Sequence, residues 1–411
     1  MPGADGDEPR AAVGGANDRL RCTAMSNGFD DAVAKIRANS RPGALVWSIR
    51  SPSGDQAQFG SGEPAFEVVV RSEAGLAAVQ SLNELAIAEA YMRDDLDFEG
   101  DFFRIMELRY LLQERNWAIT AWAQVQPLLV GRNRLNPKWI AKHYDTKNVQ
   151  TLALDRNFSV YTPGIYDGDD DTLEAGAERK LESAFSSLRL KAGDSLLDVG
   201  CGWGGFTRYC ARRGVEVTGI TLSRHQLEFT RARLAEDGLT ATVEYQDFFT
   251  FAPGRRFDAI SMMGVWEDLS DYDKTMKHLT RLLTPGGRVY SDFAATKQRF
   301  GIASTITKHV WPGLFRMVYM PQFTKAVADN YFEMVTLDND RHNYHLWCAK
   351  VHERWLARHD DVLQVVDEAT WRLHRLVQAG GVYCMGPHAT DDTAYRVVLA
   401  RRNPRVGEPS G

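Results

Sequence analysis

The stretch LLDVGCGWGGFTRYC, residues Leu196–Cys210, decides the fold of this 411-residue chain. An apolar run typical of a buried strand leads into three glycines at alternate positions, Gly200, Gly202 and Gly204, and then into a helical pattern. Glycines at such a junction let the backbone turn tightly and approach a ligand, and the first turn of a helix offers unpaired N–H groups. The motif therefore predicts a cofactor cradle, with a dinucleotide, a phosphate and another adenosine-bearing cofactor as the open alternatives.

Alternating strands and helices surround this motif. Strand patterns recur in DSLLDVG, VEVTGIT, ATVEYQD, FDAISMMG and GGRVYSDFA, with helical patterns between them. This alternation predicts an α/β, Rossmann-like fold in which helices cover a mostly parallel sheet. The segment 295–400 is rich in aromatic residues and is interpreted as largely helical. We expect most of those aromatic side chains in a core and a minority lining an acyl pocket.

The residues before this region predict a smaller α/β domain. ALVWSI and AFEVVVRS have strand patterns, and helical patterns follow to about residue 120. We assign residues 26–125 to this N-terminal domain, residues 126–140 to a linker and residues 141–402 to the catalytic domain. Residues 1–25 are rich in Gly, Ala and charge and lack the apolar core of a signal peptide, so we predict a disordered tail.

Composition narrows the function classes. The hydrophobic fraction of 44% and the charged fraction of 25% are those of an ordinary soluble globular protein, and a net charge of -5 gives no support for nucleic-acid binding. The five cysteines form no CxxC pair, so neither a metal site nor a disulfide framework is indicated, and free thiols fit the cytoplasm. No apolar run reaches the roughly 18 residues that span a bilayer, so any lipid contact is expected to be peripheral.

Three details favour S-adenosylmethionine over a dinucleotide. The pattern is GxGxGG rather than GxGxxG, and the second strand ends in Ile220-Thr221, where a dinucleotide fold would have an acidic residue for the ribose. Asp247 follows the third strand, where its carboxylate can accept from an adenine amino group. The chain has no GxxxxGK[ST] motif, which argues against a nucleoside-triphosphate loop.

Several motifs in a fixed order resemble one enzyme family. HYDTKNVQTLALDRNFSVYTPGIYD, LLDVGCGWGG and VTGITLSRHQ are closely similar to segments of the cyclopropane fatty acid synthases and mycolic acid cyclopropane synthases. The resemblance runs from about residue 140 to 355, and AEAYMRDDLDFEGD is similar to part of the family's front domain. It implies a class I methyltransferase domain with a mostly parallel seven-stranded sheet and a helical acceptor-binding insertion, behind an N-terminal domain that handles lipid.

The resemblance also implies the cofactor contacts. Tyr161 would lie against the methionine part of S-adenosylmethionine, Tyr144 would close over the site, Thr221 and Gln226 would lie near the ribose, and Asp247 by the adenine. The full implied set of cofactor-binding residues is Tyr144, Tyr161, Thr162, Gly200, Gly202, Gly204, Thr221, Gln226 and Asp247.

The sequence departs from the family where the base should be. The family binds bicarbonate through a cysteine, a glutamate, a histidine and a tyrosine. Here Glu267 and Tyr344 match the glutamate and the tyrosine, but Pro163 stands at the cysteine position and Asp292 at the histidine position, and Asp268 replaces a further histidine. Like-charge repulsion then predicts weak bicarbonate binding. We predict Glu267, Asp292 and Tyr344 as catalytic residues, with Glu267 or Asp292 as the direct base, sharing a proton. The alternative is a solvated Asp292 in a plain methyltransferase pocket.

These observations predict an S-adenosylmethionine-dependent C-methyltransferase of an unsaturated acyl lipid or phospholipid, with a cyclopropane, methylene-branched or methyl product. Two alternatives stay open. One is C- or N-methylation of a small-molecule or carrier-bound intermediate, as in the plant amine N-methyltransferases that the catalytic domain also resembles. The other is a non-catalytic lipid-binding homologue. The ending GGVYCMGPHATDDTAYRVVLAR differs from the family's, which leaves the acceptor open, and a homodimer is compatible with the resemblance.

Overall fold

The computed structural model describes residues 28–41, 45–112, 148–269, 271–297, 303–311, 316–387 and 389–402. The chain forms two compact units, one within residues 1–113 and the other within residues 114–411. The predicted tail, residues 1–25, and the predicted linker, residues 126–140, lie outside the described residues.

The first unit contains a four-stranded mixed sheet with helices. Its strands are β1 (Trp47–Arg50), β2 (Gln56–Phe59), β3 (Phe66–Val70) and β4 (Leu96–Gly100), in the order β2-β1-β3-β4 with only β1 and β3 parallel. Its helices are α1 (residues 28–39), α2 (Glu73–Ser81), α3 (Glu84–Met92) and a 3₁₀ helix, Arg104–Leu111. The predicted α/β character is present, although the pattern around Arg104–Leu111 had predicted an α-helix. Strands β2 and β4 were not predicted, because both are short and polar.

The second unit is organised around a seven-stranded sheet. Its strands are β5 (Ser195–Val199), β6 (Glu216–Thr221), β7 (Thr242–Tyr245), β8 (Phe257–Met263), β9 (Leu283–Thr296), β10 (Phe332–Asn339) and β11 (Asp392–Arg401). The strand order is β10-β11-β9-β8-β5-β6-β7, and only β11 runs antiparallel to its neighbours. Central strands are buried on both faces, as parallel strands covered by helices are. The predicted mostly parallel, Rossmann-like sheet is confirmed.

Helices lie between and beside these strands. They are α4 (Leu173–Leu188), α5 (Gly205–Ala211), α6 (Arg224–Glu236), α7 (Tyr272–Leu282), α8 (Met320–Asp329), α9 (Arg341–Ala357), α10 (His359–Leu363) and α11 (Glu368–Met385). Helices α4 and α6 begin at Thr172 and Ser223, whose side chains accept hydrogen bonds from backbone N–H groups of the first turn. Among the described residues, no helix is both long enough and apolar enough to cross a membrane.

The interpretation of residues 295–400 as largely helical is only partly right. Helices α8 to α11 lie there, but so do β10 and β11, which complete the sheet. Strand β10 is an edge strand whose Val335 and Leu337 are 41% and 46% exposed, so it lacks the apolar run by which a central strand is recognised. Trp355 and Phe323, among the aromatic residues expected in a core, are fully buried.

The sheet determines where a site can form. Gly200 follows β5, Thr221 ends β6, Asp247 follows β7, Glu267 follows β8, and Asp292 lies near the end of β9. Since the carboxyl ends of parallel strands meet at one edge of a sheet, five separate parts of the sequence converge there.

Candidate active site

The glycine loop after β5 combines tight packing with open space. Gly200, Gly202 and Gly204 have φ of +66°, +54° and +77°, a region that favours glycine. A Cβ at Gly204 would lie 2.4 Å from the Thr230 Cγ2 atom, and one at Gly200 would lie 2.8 Å from Val265 Cγ2. A Cβ at Gly202 would meet only the Gly200 carbonyl oxygen, at 3.8 Å. Gly200 and Gly204 therefore leave no room for a side chain, whereas Gly202 borders space that a ligand can fill.

A buried hydrogen-bond network follows β6. The Thr221 hydroxyl donates to Gln226 Oε1 at 2.9 Å and accepts from the Ser223 N–H at 3.2 Å. The Ser223 hydroxyl oxygen accepts from the Gln226 N–H at 3.2 Å, and all three side chains are buried. The structure thus brings together Thr221 and Gln226, the two residues predicted to lie near a ribose, and holds the Gln226 amide in one orientation.

Asp247 lies at the next strand end. Its Oδ1 accepts the Phe249 N–H at 2.9 Å, and its Oδ2 accepts no hydrogen bond from the described residues. The hydrogen bond from the Phe249 N–H therefore holds the half-buried carboxylate in place, and Oδ2 can accept a hydrogen bond from an amino group. Open space at Gly202, the fixed Gln226 amide and this carboxylate fit the three polar parts of S-adenosylmethionine. Tyr144, also predicted to bind it, lies outside the described residues.

An aromatic wall forms part of the site. The Trp347 ring on α9 lies between Tyr161 and Tyr344, with ring centroids 6.0 and 5.8 Å away and nearly perpendicular ring planes. Burial raises the pKa of Tyr161 to about 12 and that of Tyr344 well above its ordinary value, the latter also because Cys348 and Glu267 are near. Both phenols therefore stay neutral, and the three rings offer π systems that can stabilise a cation.

Glu267 is anchored by its neighbour in a single 3₁₀ turn, Trp266–Asp268. Trp266 is fully buried, donates from Nε1 to the Ser291 hydroxyl at 2.9 Å and packs edge-on against Phe323 at 5.0 Å. This packing fixes the turn against β9 and α8, so the position of the Glu267 carboxylate depends on a buried ring rather than on a mobile loop.

The Glu267 carboxylate is buried and only partly satisfied. Its Oε1 accepts the Ala294 N–H at 2.7 Å, whereas Oε2 accepts no hydrogen bond from the described residues. Burial raises its pKa to about 8 despite the Ala294 hydrogen bond, and the charges of Asp268 and Asp292 add to the rise. Burial also raises the pKa of Asp268, to about 7. A carboxylate of this kind can take up a proton near neutral pH.

Asp292 is also buried, but it is paired with a cation. It is 3% exposed, so the alternative of a solvated strand-end residue is wrong. Lys180 Nζ lies 2.8 Å from Asp292 Oδ2, an ion-pair distance although the angles are not those of a hydrogen bond, and the Lys180 side chain is 0% exposed. Lys180 also donates a hydrogen bond to the hydroxyl of Thr162, one of the predicted cofactor residues. The charge of Asp292 helps to raise the pKa of Glu267, and no hydrogen bond joins the two carboxylates among the described residues.

Lys180 and Trp347 are functional candidates that the sequence alone did not single out. Lys180 lies on the buried side of α4, in register with Leu173, Ala177, Leu181 and Ala184. A lysine in the apolar stripe of an amphipathic helix is rarely buried without a partner, so the helical periodicity contained the signal. Nothing in the sequence distinguished Trp347 from the other aromatic residues around it.

Comparison with known proteins gives two family matches. A family model described as mycolic acid cyclopropane synthetase matches residues 132–383, which is more than half of the chain. A second model, described only as a domain of unknown function, matches residues 45–117.

Curated relatives are similar at modest identity. A probable fatty acid methyltransferase of Pseudomonas putida is 28% identical over 359 residues, which cover 83% of this chain and 89% of that protein. The cyclopropane-fatty-acyl-phospholipid synthase of Escherichia coli K12 is 28% identical over 271 residues, which cover 64% of this chain and 68% of that protein. A crystal structure of a mycolic acid cyclopropane synthase complexed with SAH and CTAB matches 64% of this chain and 98% of its own, with a TM-score of 0.59 and 20% identity, and so shows a shared fold.

Proposed function

This chain belongs to the mycolic acid cyclopropane synthetase family of S-adenosylmethionine-dependent methyltransferases, and we propose that it methylates a double bond in an unsaturated acyl chain. One observation carries the proposal. Glu267 is a buried carboxylate with a raised pKa whose Oε2 accepts no hydrogen bond within the described part of the chain. It belongs to the same site as the aromatic wall of Tyr161, Trp347 and Tyr344. Methylation of an alkene forms a carbocation on an apolar chain, which needs both a surface that stabilises positive charge and a base that removes a proton from carbon.

The reaction needs an electrophile, a cation-stabilising surface and a base. When bound, S-adenosylmethionine supplies an electrophilic methyl group, whose bond to sulfur breaks as the alkene π electrons form a new carbon–carbon bond. Positive charge then lies on the acyl chain, where Trp347 and its two tyrosine neighbours stabilise it. Glu267 Oε2 accepts the proton that must leave, and the C–H electron pair closes a cyclopropane ring or, after a hydride shift, forms a methylene group. Either product is one CH₂ unit heavier than the acceptor.

A lipid acceptor agrees with two further features. The names of the relatives from P. putida and E. coli refer to fatty acid and fatty-acyl-phospholipid substrates. One compact unit lies within residues 1–113, and its described residues belong to the segment 26–125 that the sequence predicted to handle lipid chains. We therefore propose an unsaturated phospholipid as the acceptor, reached by peripheral contact with the membrane surface from the cytoplasm.

The test is to incubate the full chain with labelled S-adenosylmethionine and vesicles of mono-unsaturated phospholipids that differ in double-bond position, with saturated phospholipid vesicles as the control. We expect label in the acyl chain of one unsaturated lipid, a gain of about 14 mass units, and none in the saturated control. A product that resists mild catalytic hydrogenation would be a cyclopropane. A product that takes up hydrogen would carry a methylene branch.

Two results would overturn the proposal. One is label confined to a head-group or small-molecule amine added to the same assay. The other is binding of S-adenosylmethionine by calorimetry without transfer to any unsaturated lipid in the panel, which would indicate a non-catalytic homologue. The variant Glu267→Gln separates chemistry from binding, because it should retain cofactor binding and lose turnover.

A further inference from the structure

Lys180 is the buried cation of the site. It lies on α4 among apolar residues, with its ammonium 2.8 Å from Asp292 Oδ2 and hydrogen-bonded to the Thr162 hydroxyl. Removing both charges from water costs free energy that a hydrophobic pair would not cost. A buried pair beside a reactive site is therefore a candidate for function as well as for packing.

The surroundings of Asp292 extend this pairing into a balanced network. Arg396 on β11 lies directly across from Asp292 on β9 in the sheet register. Its Nε is 3.1 Å from Asp340 Oδ1, and Asp340 also accepts a hydrogen bond from the Asn343 side chain at 2.6 Å. Two cations and two carboxylates thus lie together in the interior, and Asp292 is matched by positive charge.

Glu267 has different surroundings. Asp268 lies beside it, Asp292 faces it from β9, Tyr344 from α9 and Tyr272 from α7. The Arg316 backbone N–H donates to the Glu267 carbonyl oxygen at 3.0 Å, and the positive charge of Arg316 acts on the neighbouring Tyr272. None of the ion pairs found among the described residues involves the Glu267 carboxylate.

We propose that Lys180 is a positioning residue: it holds Asp292 in an ion pair beside Thr162, one of the predicted cofactor residues, and so leaves Glu267, rather than Asp292, to accept the proton. The inference rests on the proposed function. Proton transfer to Asp292 would leave the buried Lys180 ammonium without its counter-charge, whereas the Glu267 carboxylate takes part in no ion pair found among the described residues. The ammonium also offsets the charge of Asp292 at Glu267, so that Glu267 can ionise at a useful pH.

The proposal predicts shifts of opposite sign for two variants. Lys180→Met removes the cation, so the pH midpoint of kcat/KM should rise by at least about half a unit. Asp292→Asn leaves the cation without its partner, so the midpoint should fall by a similar amount. The double variant Lys180→Met/Asp292→Asn removes both charges and should return the midpoint close to that of the wild type. Thermal melting and cofactor titration show whether each variant is folded.

An acceptor-independent readout accompanies the kinetics. Infrared titration follows the C=O stretch of a protonated carboxyl group in the cofactor-bound protein, assigned to Glu267 by its loss in Glu267→Gln. The same opposite shifts are expected there, and they can be seen even if no acyl lipid is methylated. Failure of the proposed function is therefore distinguishable from failure of this inference.

Three outcomes would overturn the inference. If Asp292→Asn binds the cofactor but is inactive at every pH, Asp292 is the base. If Lys180→Met and Asp292→Asn move the midpoint in the same direction, or leave it unchanged, Lys180 has only a packing role. If neither single variant folds and the double variant has a displaced midpoint, the two charges do not compensate each other at Glu267.

Discussion

The backbone N–H of Ala294 donates a 2.7 Å hydrogen bond to one oxygen of the buried Glu267 carboxylate, and the other oxygen accepts none from the described residues. One contact on β9 thus orients the group without neutralising it. The result is a carboxylate held in place and poised to take a proton, which leads to several measurable consequences.

The pH profile of the reaction should follow Glu267. Its pKa of about 8 means that the free enzyme must lose a proton to become active, so kcat/KM should rise with pH and level off above about 8. Glu267→Gln should lower kcat by about 100-fold or more and remove the dependence. Asp268→Asn is the matched control, because the pKa of Asp268 is also raised by burial, to about 7. If the pH dependence disappears in Asp268→Asn and persists in Glu267→Gln, the group that titrates is Asp268 and not Glu267.

The same group should lower stability as pH rises. The pKa of Glu267 is raised from 4.5 to about 8, so between these values the unfolded chain releases a proton that the folded chain retains. Stability from this group is therefore full at low pH and is lost as pH passes from about 4.5 to about 8. We expect Glu267→Gln to melt close to the wild type at pH 5 and to be more stable by about 1–3 kcal/mol at pH 9. If Glu267→Gln and the wild type melt at the same temperature at pH 5 and also at pH 9, Glu267 is not a buried ionisable group.

The reaction should not depend on bicarbonate. The charges of Asp268 and Asp292 act on Glu267, Lys180 is paired with Asp292, and Pro163 provides no side-chain donor. An added anion would meet like charge. We expect the rate in bicarbonate-depleted buffer to equal the rate after bicarbonate is restored. A rate that collapses on depletion and recovers on addition would show that an external base is used.

Gly202→Ala should separate cofactor binding from stability. Gly202 and Gly238 have φ of +54° and +65°, and a Cβ at either would meet no close neighbour. Each alanine variant should therefore cost about 1 kcal/mol of backbone strain. Only at Gly202 would the methyl group enter the space assigned to S-adenosylmethionine, so only Gly202→Ala should lose affinity, by at least about tenfold in a calorimetric titration. Equal affinity in both variants would remove Gly202 from the cofactor site.

Trp347→Leu should slow the chemical step more than it weakens cofactor binding. The Trp347 ring links Tyr161 and Tyr344, and a cation–π contribution of about 0.5–2 kcal/mol corresponds to roughly a 2- to 30-fold loss of kcat. Trp347→Phe keeps an aromatic ring and should recover part of the rate. If the leucine and phenylalanine variants are equally slow, the ring acts through its shape and not through its π electrons.

The features that depend on local rules could be predicted from the amino-acid sequence. The glycine loop after β5 is recognisable because φ between +54° and +77° favours glycine, and the parallel strands because central strands are apolar throughout. Strand ends converge in a parallel sheet, so Asp247 could be assigned to the site from its position after a strand, whereas Thr221 and Gln226 were assigned through the resemblance to the family. Strand β10 was not predicted because it lies at the edge of the sheet and is mostly exposed, so its sequence lacks the apolar run of a central strand.

The difference between the carboxylates of the site could not be predicted without the folded structure. Lys180 and Asp292 are 112 positions apart in the chain, and no local pattern shows that a helix brings an ammonium within 2.8 Å of that strand. Asp292 is paired with Lys180, whereas no ion pair of Glu267 is found where the structure describes the chain, and this contrast arises from which charges meet in the interior. Burial strengthens the interaction between two charges because water no longer screens it. Which carboxylate acts as the base is therefore a property of the folded chain and not of either residue.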